Sequence, residues 1–214
     1  MNVALYYRWL FFLIGMMFLG LGISMTIKGD RLGIGPWDVL HVGLYQNFGL
    51  TIGSWSIIAG FTLISLTSLV RRRWPQFGTW LNMLLIGLFI DLFNFLIPDI
   101  HSLIGHILIF TAGIFVMGYG VGMYVSPKMG AGPRDDLMLI LVQKTGFSVS
   151  TIRTAIEMTV AVLGWMLGGP VGIGTVVIAL LVGRIVQKSL VQSETLLKWL
   201  ILKHQDDLPS ILKI

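Results

Sequence analysis

The chain has 214 residues, of which 55% are hydrophobic and only 12% charged, a balance that excludes an ordinary soluble domain and indicates an integral membrane protein. Cysteine is absent, which excludes disulfides, thiolate metal sites and thiol catalysis. The net charge of +5 marks membrane orientation and not a nucleic-acid partner.

Stretches of about 20 mainly apolar residues, long enough to cross a bilayer as helices, are predicted at 9–27, 52–70, 79–97, 105–125, 151–167 and 171–190. With a cytoplasmic N-terminus, all of the 15 cations except Lys28 and Arg31 fall in or near the inner side, as the positive-inside tendency requires. Arg8 before the first apolar run also fits a signal peptide, but no small-residue cleavage site follows.

The first span carries GMMFLGLG at 15–22, and the fourth carries GIFVMGYG at 113–120. Between the first and second spans lies GIGPWDVL at 33–40, and between the fourth and fifth lies GAGPRDDL at 130–137. The correspondence runs on through Gly49 and Thr51 against Gly146 and Ser148, then Gly78 and Thr79 against Gly174 and Thr175. Two halves of near-equal length carry one pattern.

After each GxGP turn a short apolar helix is predicted, over 36–47 and 133–144. Twelve residues extend about 18 Å, short of the roughly 30 Å hydrocarbon core, so neither segment is counted as a crossing. Three crossings per half is an odd number, and the repeats are therefore inverted. The GIGP turn is expected to face outside and the GAGP turn the cytoplasm.

The expected fold is an all-α integral membrane protein with six transmembrane helices and two re-entrant half-helices, arranged as two inverted repeats of three spans. Residues 1–8 form a cytoplasmic N-terminus, 9–97 the first repeat, 98–104 an outer linker, 105–190 the second repeat and 191–214 a cytoplasmic amphipathic tail. In that tail Leu196, Leu197, Trp199, Leu200 and Ile201 lie among Lys198 and Lys203, a pattern suited to the anionic inner leaflet.

Gly35 with Pro36 and Gly132 with Pro133 mark helix starts, since proline loses nothing at the first helical position. Asp38 and Asp135 then stand in the first helical turn, and Asp136 follows. Two readings of these carboxylates remain open. They cap free N–H groups, or together with the helix ends they line a polar path for a cation, a proton or an anion. Trp37 occupies the place that Arg134 takes in the second half, which makes the two turns chemically unequal.

Charges inside spans are costly unless they face protein or water. Asp91 lies about 18 Å from the inner end of its span and is assigned to the path, whereas Asn94, Gln187 and Arg153 are read as packing or snorkelling groups. Glu157 and Arg184 lie at one depth and are expected to form an ion pair between spans; the alternative pairs Glu157 with Arg153 one turn away. The span glycines are read as close-packing positions. His101 and His106 lack supporting ligands, and no metal site, cofactor or catalytic residue is expected.

GIGPWDVLHVGL, TIGSWSIIAG, GTWLNMLLIGLFIDLF and the later GTVVIALLVGRIVQ together resemble the YczE/YyaS/YitT family of bacterial multipass inner-membrane proteins, over about residues 9–190. The resemblance implies a bacterial cytoplasmic membrane protein and carries over Gly35, Pro36, Trp37, Asp38 and Asp91. In the second half Arg134 and Asp135 replace the Trp-Asp pair, so no role of the tryptophan transfers there.

The expected function is a secondary transporter or exporter of a small solute, with a coupling ion or a partner because no ATP-binding motif is present. The alternative is an accessory membrane protein that stabilises or recruits a membrane-associated enzyme. An enzyme is not expected, since G-x-S-x-G, H-E-x-x-H and histidine clusters are all missing.

Overall fold

The computed structural model describes residues 3–130 and 132–206. They form eight α-helices: α1 (Val3–Lys28), α2 (Pro36–Phe48), α3 (Ile52–Arg71), α4 (Phe77–Leu96), α5 (Leu103–Val125), α6 (Pro133–Thr145), α7 (Val149–Met166) and α8 (Ile173–Asp206). A single 3-10 turn, Asp30–Leu32, joins α1 to the first glycine turn, and no strand is present among the described residues.

Five helices, α1, α3, α4, α5 and α8, are long and apolar enough to cross a membrane. The expected fifth span, α7, is 18 residues long and is not in that set, since Arg153 and Glu157 lower its apolar character. The expected boundary at 190/191 is crossed by α8, which runs unbroken for 34 residues and so includes the first part of the amphipathic tail. Its end leans on the start of α1, where the Tyr7 hydroxyl and His204 Nδ1 lie 3.1 Å apart, and Leu197 is buried. Residues 207–214 of that tail lie outside the described residues.

The core is built on α1, which packs most extensively against α5 and then against α4, while α8 covers α5. Phe12, Met16, Leu19 and Ile23 of α1 meet Phe110, Ile114 and Met117 of α5 and Ile90 of α4 in one buried cluster. Glycines let the two backbones touch. A methyl group on Gly15 would strike the Tyr124 backbone, one on Gly22 the Met117 backbone and one on Gly120 the Leu19 backbone. In lipid, where apolar surface is not expelled by water, such close backbone contact is a main source of helix association. The outward faces are apolar, with Leu69, Phe95, Ile104, Leu108, Ile173 and Leu180 exposed.

Local features recur at equivalent positions in the two halves. The N-caps of α2 and α6 are Gly35 (φ −60, ψ 146) and Gly132 (φ −63, ψ 153), each followed by proline. Their C-caps are Gly49 and Gly146, with φ of 72 and 74, values that glycine adopts without strain. Thr51 then caps α3 through the Ser54 N–H at 3.0 Å, and Ser148 caps α7 through the Thr151 N–H at 3.1 Å.

The two glycine turns dock reciprocally. Gly33 lies against Gly172 and Thr175 at the start of α8, while Gly130 lies against Gly78 and Thr79 at the start of α4. The turn of each half is thus held by the last long helix of the other half. Lys28 at the end of α1 donates to Asp99 at 2.5 Å, and this bond, with the lysine charge, holds the Asp99 carboxyl below the usual carboxylate range.

Because Gly120 has no free space and Gly183 has no neighbour within 4 Å of a built methyl group, the two positions give opposite expectations. Gly120→Ala should lower the thermal stability of detergent-purified protein by about 1–3 kcal/mol or prevent its accumulation, and Gly183→Ala should leave melting unchanged or raise it slightly.

Candidate functional site: a cavity between two helix starts

The short helices α2 and α6 lie on successive stretches of α7. A methyl group on Gly164 near the end of α7 would strike Val39 and Leu40 of α2. Leu137 and Leu141 of α6 share an apolar groove with Ile152 and Ala155 near the start of α7. Where the two short helices meet, the Arg134 guanidinium lies over the Trp37 ring, 4.6 Å from its centroid.

Beside this contact is a cavity of about 380 Å³. Gly35, Pro36, Trp37 and Asp38 line it from α2, and Gly132, Pro133, Arg134 and Asp135 line it from α6. Ser56, Asn82, Tyr124, Arg153 and Glu157 add polar groups from α3, α4, α5 and α7, while Leu19, Ile23, Met117 and Ile178 supply apolar wall. The two turns, expected to face opposite sides, therefore open on one shared space.

The chemistry of the helix starts explains why this space is polar. Helices α3, α5 and α7 begin with Thr or Ser side chains that accept a backbone N–H, whereas α2 and α6 begin with glycines that have no side chain to do so. Each therefore presents first-turn N–H groups and the positive end of its dipole. The acid three residues on compensates. Asp135 accepts the Gly132 N–H, the reciprocal half of a capping box, and Asp38 Oδ2 lies beside Gly35 at the corresponding position.

Sequence reasoning did not single out Asn82, Tyr124 or His41. A methyl group on Gly132 would meet Asp135 Oδ2, the Tyr124 hydroxyl and Asn82 Oδ1 at 3.2, 3.3 and 3.6 Å, so these three converge on the α6 start. His41 is fully buried with neither ring nitrogen hydrogen-bonded, and its Nδ1 lies 3.8 Å from Asp38 Oδ1. The signal for His41 was present as a three-residue spacing that puts it on the same helix face as Asp38. Asn82 and Tyr124 had no such signal, because they reach the site from other helices, α4 and α5, and only packing brings them to the α6 start.

Three expectations are corrected. Asp91 does not line the cavity; its carboxylate accepts from Thr51 Oγ1 at 2.5 Å and the Gly53 N–H at 2.8 Å, capping α3. Its position deep in α4 is satisfied because the start of α3 packs there. Asp136 also lies outside the cavity lining and pairs with Arg71 at 2.9 Å. Glu157 accepts from Arg153 Nε at 2.9 Å across one helical turn, and the pair with Arg184 is not formed. Arg184 is exposed on α8, and the partner available on the same helix costs less side-chain ordering than one on another span.

Residues 6–189 match the family described as "Family of unknown function (DUF6198)". The chain belongs to this family. Its relatives include the "Uncharacterized membrane protein YczE" of Bacillus subtilis (strain 168), 47% identical over 204 residues that cover 95% of each chain. The same organism's "Uncharacterized protein YyaS" is 31% identical over 83% of this chain and 90% of its own length. An uncharacterized protein of Haemophilus influenzae is 32% identical over 79% and 77%. No solved structure matches the chain. The resemblance read from GPWDVL and the later spans thus holds, and the chain is a multi-pass membrane protein of this family.

Two expectations follow for these side chains. Asp91→Ala should destabilise the purified protein by about 1 kcal/mol or more through loss of the α3 cap, as read by thermal melting. Exchanging the charges of Arg153 and Glu157 together should recover most of the stability lost by either reversal alone, while the Glu157→Arg/Arg184→Glu double variant should recover none.

Proposed function

We propose that this protein is a secondary transporter or exporter of a small solute across the bacterial inner membrane, working by alternating exposure of its central cavity. The observation that carries the reading is the meeting of the two half-helix starts, Trp37 against Arg134, at the edge of a polar cavity. Broken helices whose N-terminal ends converge on one site are a recurrent way of holding a solute inside a membrane.

In this reading α7 also crosses, as the fifth of six spans, α2 and α6 are re-entrant, and both termini are cytoplasmic. The two halves are inverted repeats related by a pseudo-twofold axis. The reciprocal docking of Gly33 on the α8 start and Gly130 on the α4 start supports it, since an exchange of this kind is what such an axis produces. Rocking one half against the other would move both turns together. The reading assigns no catalytic residue; transport uses an ion gradient or a partner.

The absence of cysteine makes the test direct. Arg31→Cys and Lys128→Cys, both exposed before their glycine turns, should react with a membrane-impermeant maleimide from opposite faces. Ser56→Cys, inside the cavity, should react from both faces when intact cells and inverted vesicles are compared. Labelling of the first two from one face would remove the inverted topology. Labelling of Ser56→Cys from one face only, with a stable co-purifying protein, would instead favour the accessory role.

A further inference from the structure

The charges in the cavity are not equally committed. Glu157 is bound to Arg153, and Asp135 to the Gly132 N–H. Asp38 Oδ2 faces the Gly35 turn, but its Oδ1 has no hydrogen-bond partner although the residue is only 4% exposed. Asn82 Oδ1 is likewise unpartnered, with the residue 1% exposed. Arg134 makes no hydrogen bond and no ion pair within 4.0 Å to any described residue; its one specific contact is the Trp37 ring. Asp38 and Asp135 are within its electrostatic reach yet do not close on it.

The cavity is therefore lined by a guanidinium with no hydrogen-bonded partner among the described residues and by Asp38 and Asn82, each of which carries an unpartnered oxygen. Buried polar groups are normally satisfied, and free ones of opposite character beside one cavity call for a ligand with both complements. The charge balance narrows the class. Once Arg153 and Glu157 cancel, Arg134 faces Asp38 and Asp135, and two helix N-termini contribute about half a positive charge each. The sum is close to zero. A simple anion or a simple cation would add an unbalanced charge in a low-dielectric space, whereas a solute with both charges at short separation would not.

We propose that the cavity binds a small zwitterionic solute of the amino-acid type, its carboxylate on Arg134 and its ammonium group on the Asp38 and Asn82 oxygens. Trp37 holds the guanidinium plane in place through the stack, leaving its edge to the carboxylate. A volume of about 380 Å³ is at the small end of ligand pockets and suits a solute of few heavy atoms. This inference rests on the cavity being the transport site but is tested by binding alone.

The experiment uses the full-length protein in detergent, with calorimetric titration and thermal shift against neutral amino acids, against acetate and propionate, and against ethylamine. Neutral amino acids should bind, and the matched monofunctional acids and amine should bind at least about tenfold more weakly. Arg134→Gln should lose about thirtyfold or more in affinity, with Arg134→Lys intermediate, and Asp38→Asn should remove the preference for the amino group. If Arg134→Gln fails to fold, the Arg134→Lys and Asp38→Asn measurements carry the same decision. Equal binding of acetate and an amino acid, unchanged affinity in the Arg134 variants, or no binding by any member at millimolar concentration would overturn the proposal. Amino-acid binding without two-sided labelling of Ser56→Cys would sink the transport reading alone. Two-sided labelling without amino-acid binding would sink this inference alone.

Discussion

The architecture depends on places where one backbone lies on another with no side chain between them. Gly33 rests on Gly172 and Gly130 on Gly78, while Gly15 and Gly120 bring α1 and α5 together. In lipid the apolar surface of one helix gains little by leaving the surrounding chains for another helix, so close approach and its dispersion contacts must supply the attraction. The glycine turns also need room to bring irregular backbone into the protein interior, where its polar groups can be met by protein. Ile34, for example, donates its N–H to the Pro170 carbonyl at 3.3 Å.

Once the turns are docked, the rest of the site follows from helix chemistry. Two helices that start with Gly-Pro have no hydroxyl cap, so their positive ends are compensated by the acid in the third helical position and by whatever occupies the cavity. The contrast with α3, α5 and α7, each closed by its own Ser or Thr, separates helix ends that are finished from helix ends that face a space. The asymmetry between halves is as informative as the symmetry. Tryptophan in one half and arginine in the other, at equivalent positions, meet with the guanidinium over the ring, and Arg134 faces the shared space while the cavity's other arginine, Arg153, is paired with Glu157.

Much of this was legible in the sequence. The short helices were expected at 36–47 and 133–144 and are Pro36–Phe48 and Pro133–Thr145, because Gly-Pro punctuates a helix start and a following glycine its end. Eight of the ten path candidates line the cavity. Asp91 and Asp136 do not, for a common reason. A carboxylate inside an apolar run is as well satisfied by a neighbouring helix start or an arginine as by a solvated path, and only packing distinguishes them. The boundary expected at residue 190 had no physical marker, since neither proline nor glycine interrupts 184–206, and α8 runs through it.

What the sequence by itself determined is local and periodic: apolar runs of crossing length, glycine-proline helix starts, the duplicated pattern and the absence of cysteine chemistry. These depend on backbone sterics and on the solvent each segment prefers, which neighbouring residues encode directly. Tertiary structure decided the pairings. It brought Trp37 to Arg134, gave Glu157 to Arg153, set Asp91 on the α3 start and drew Asn82 and Tyr124 to a turn on another helix. Such contacts join groups from one helical turn to nearly 100 residues apart, and which of them form is settled only after helices have packed, when a buried charge takes the nearest partner that the assembled backbone allows.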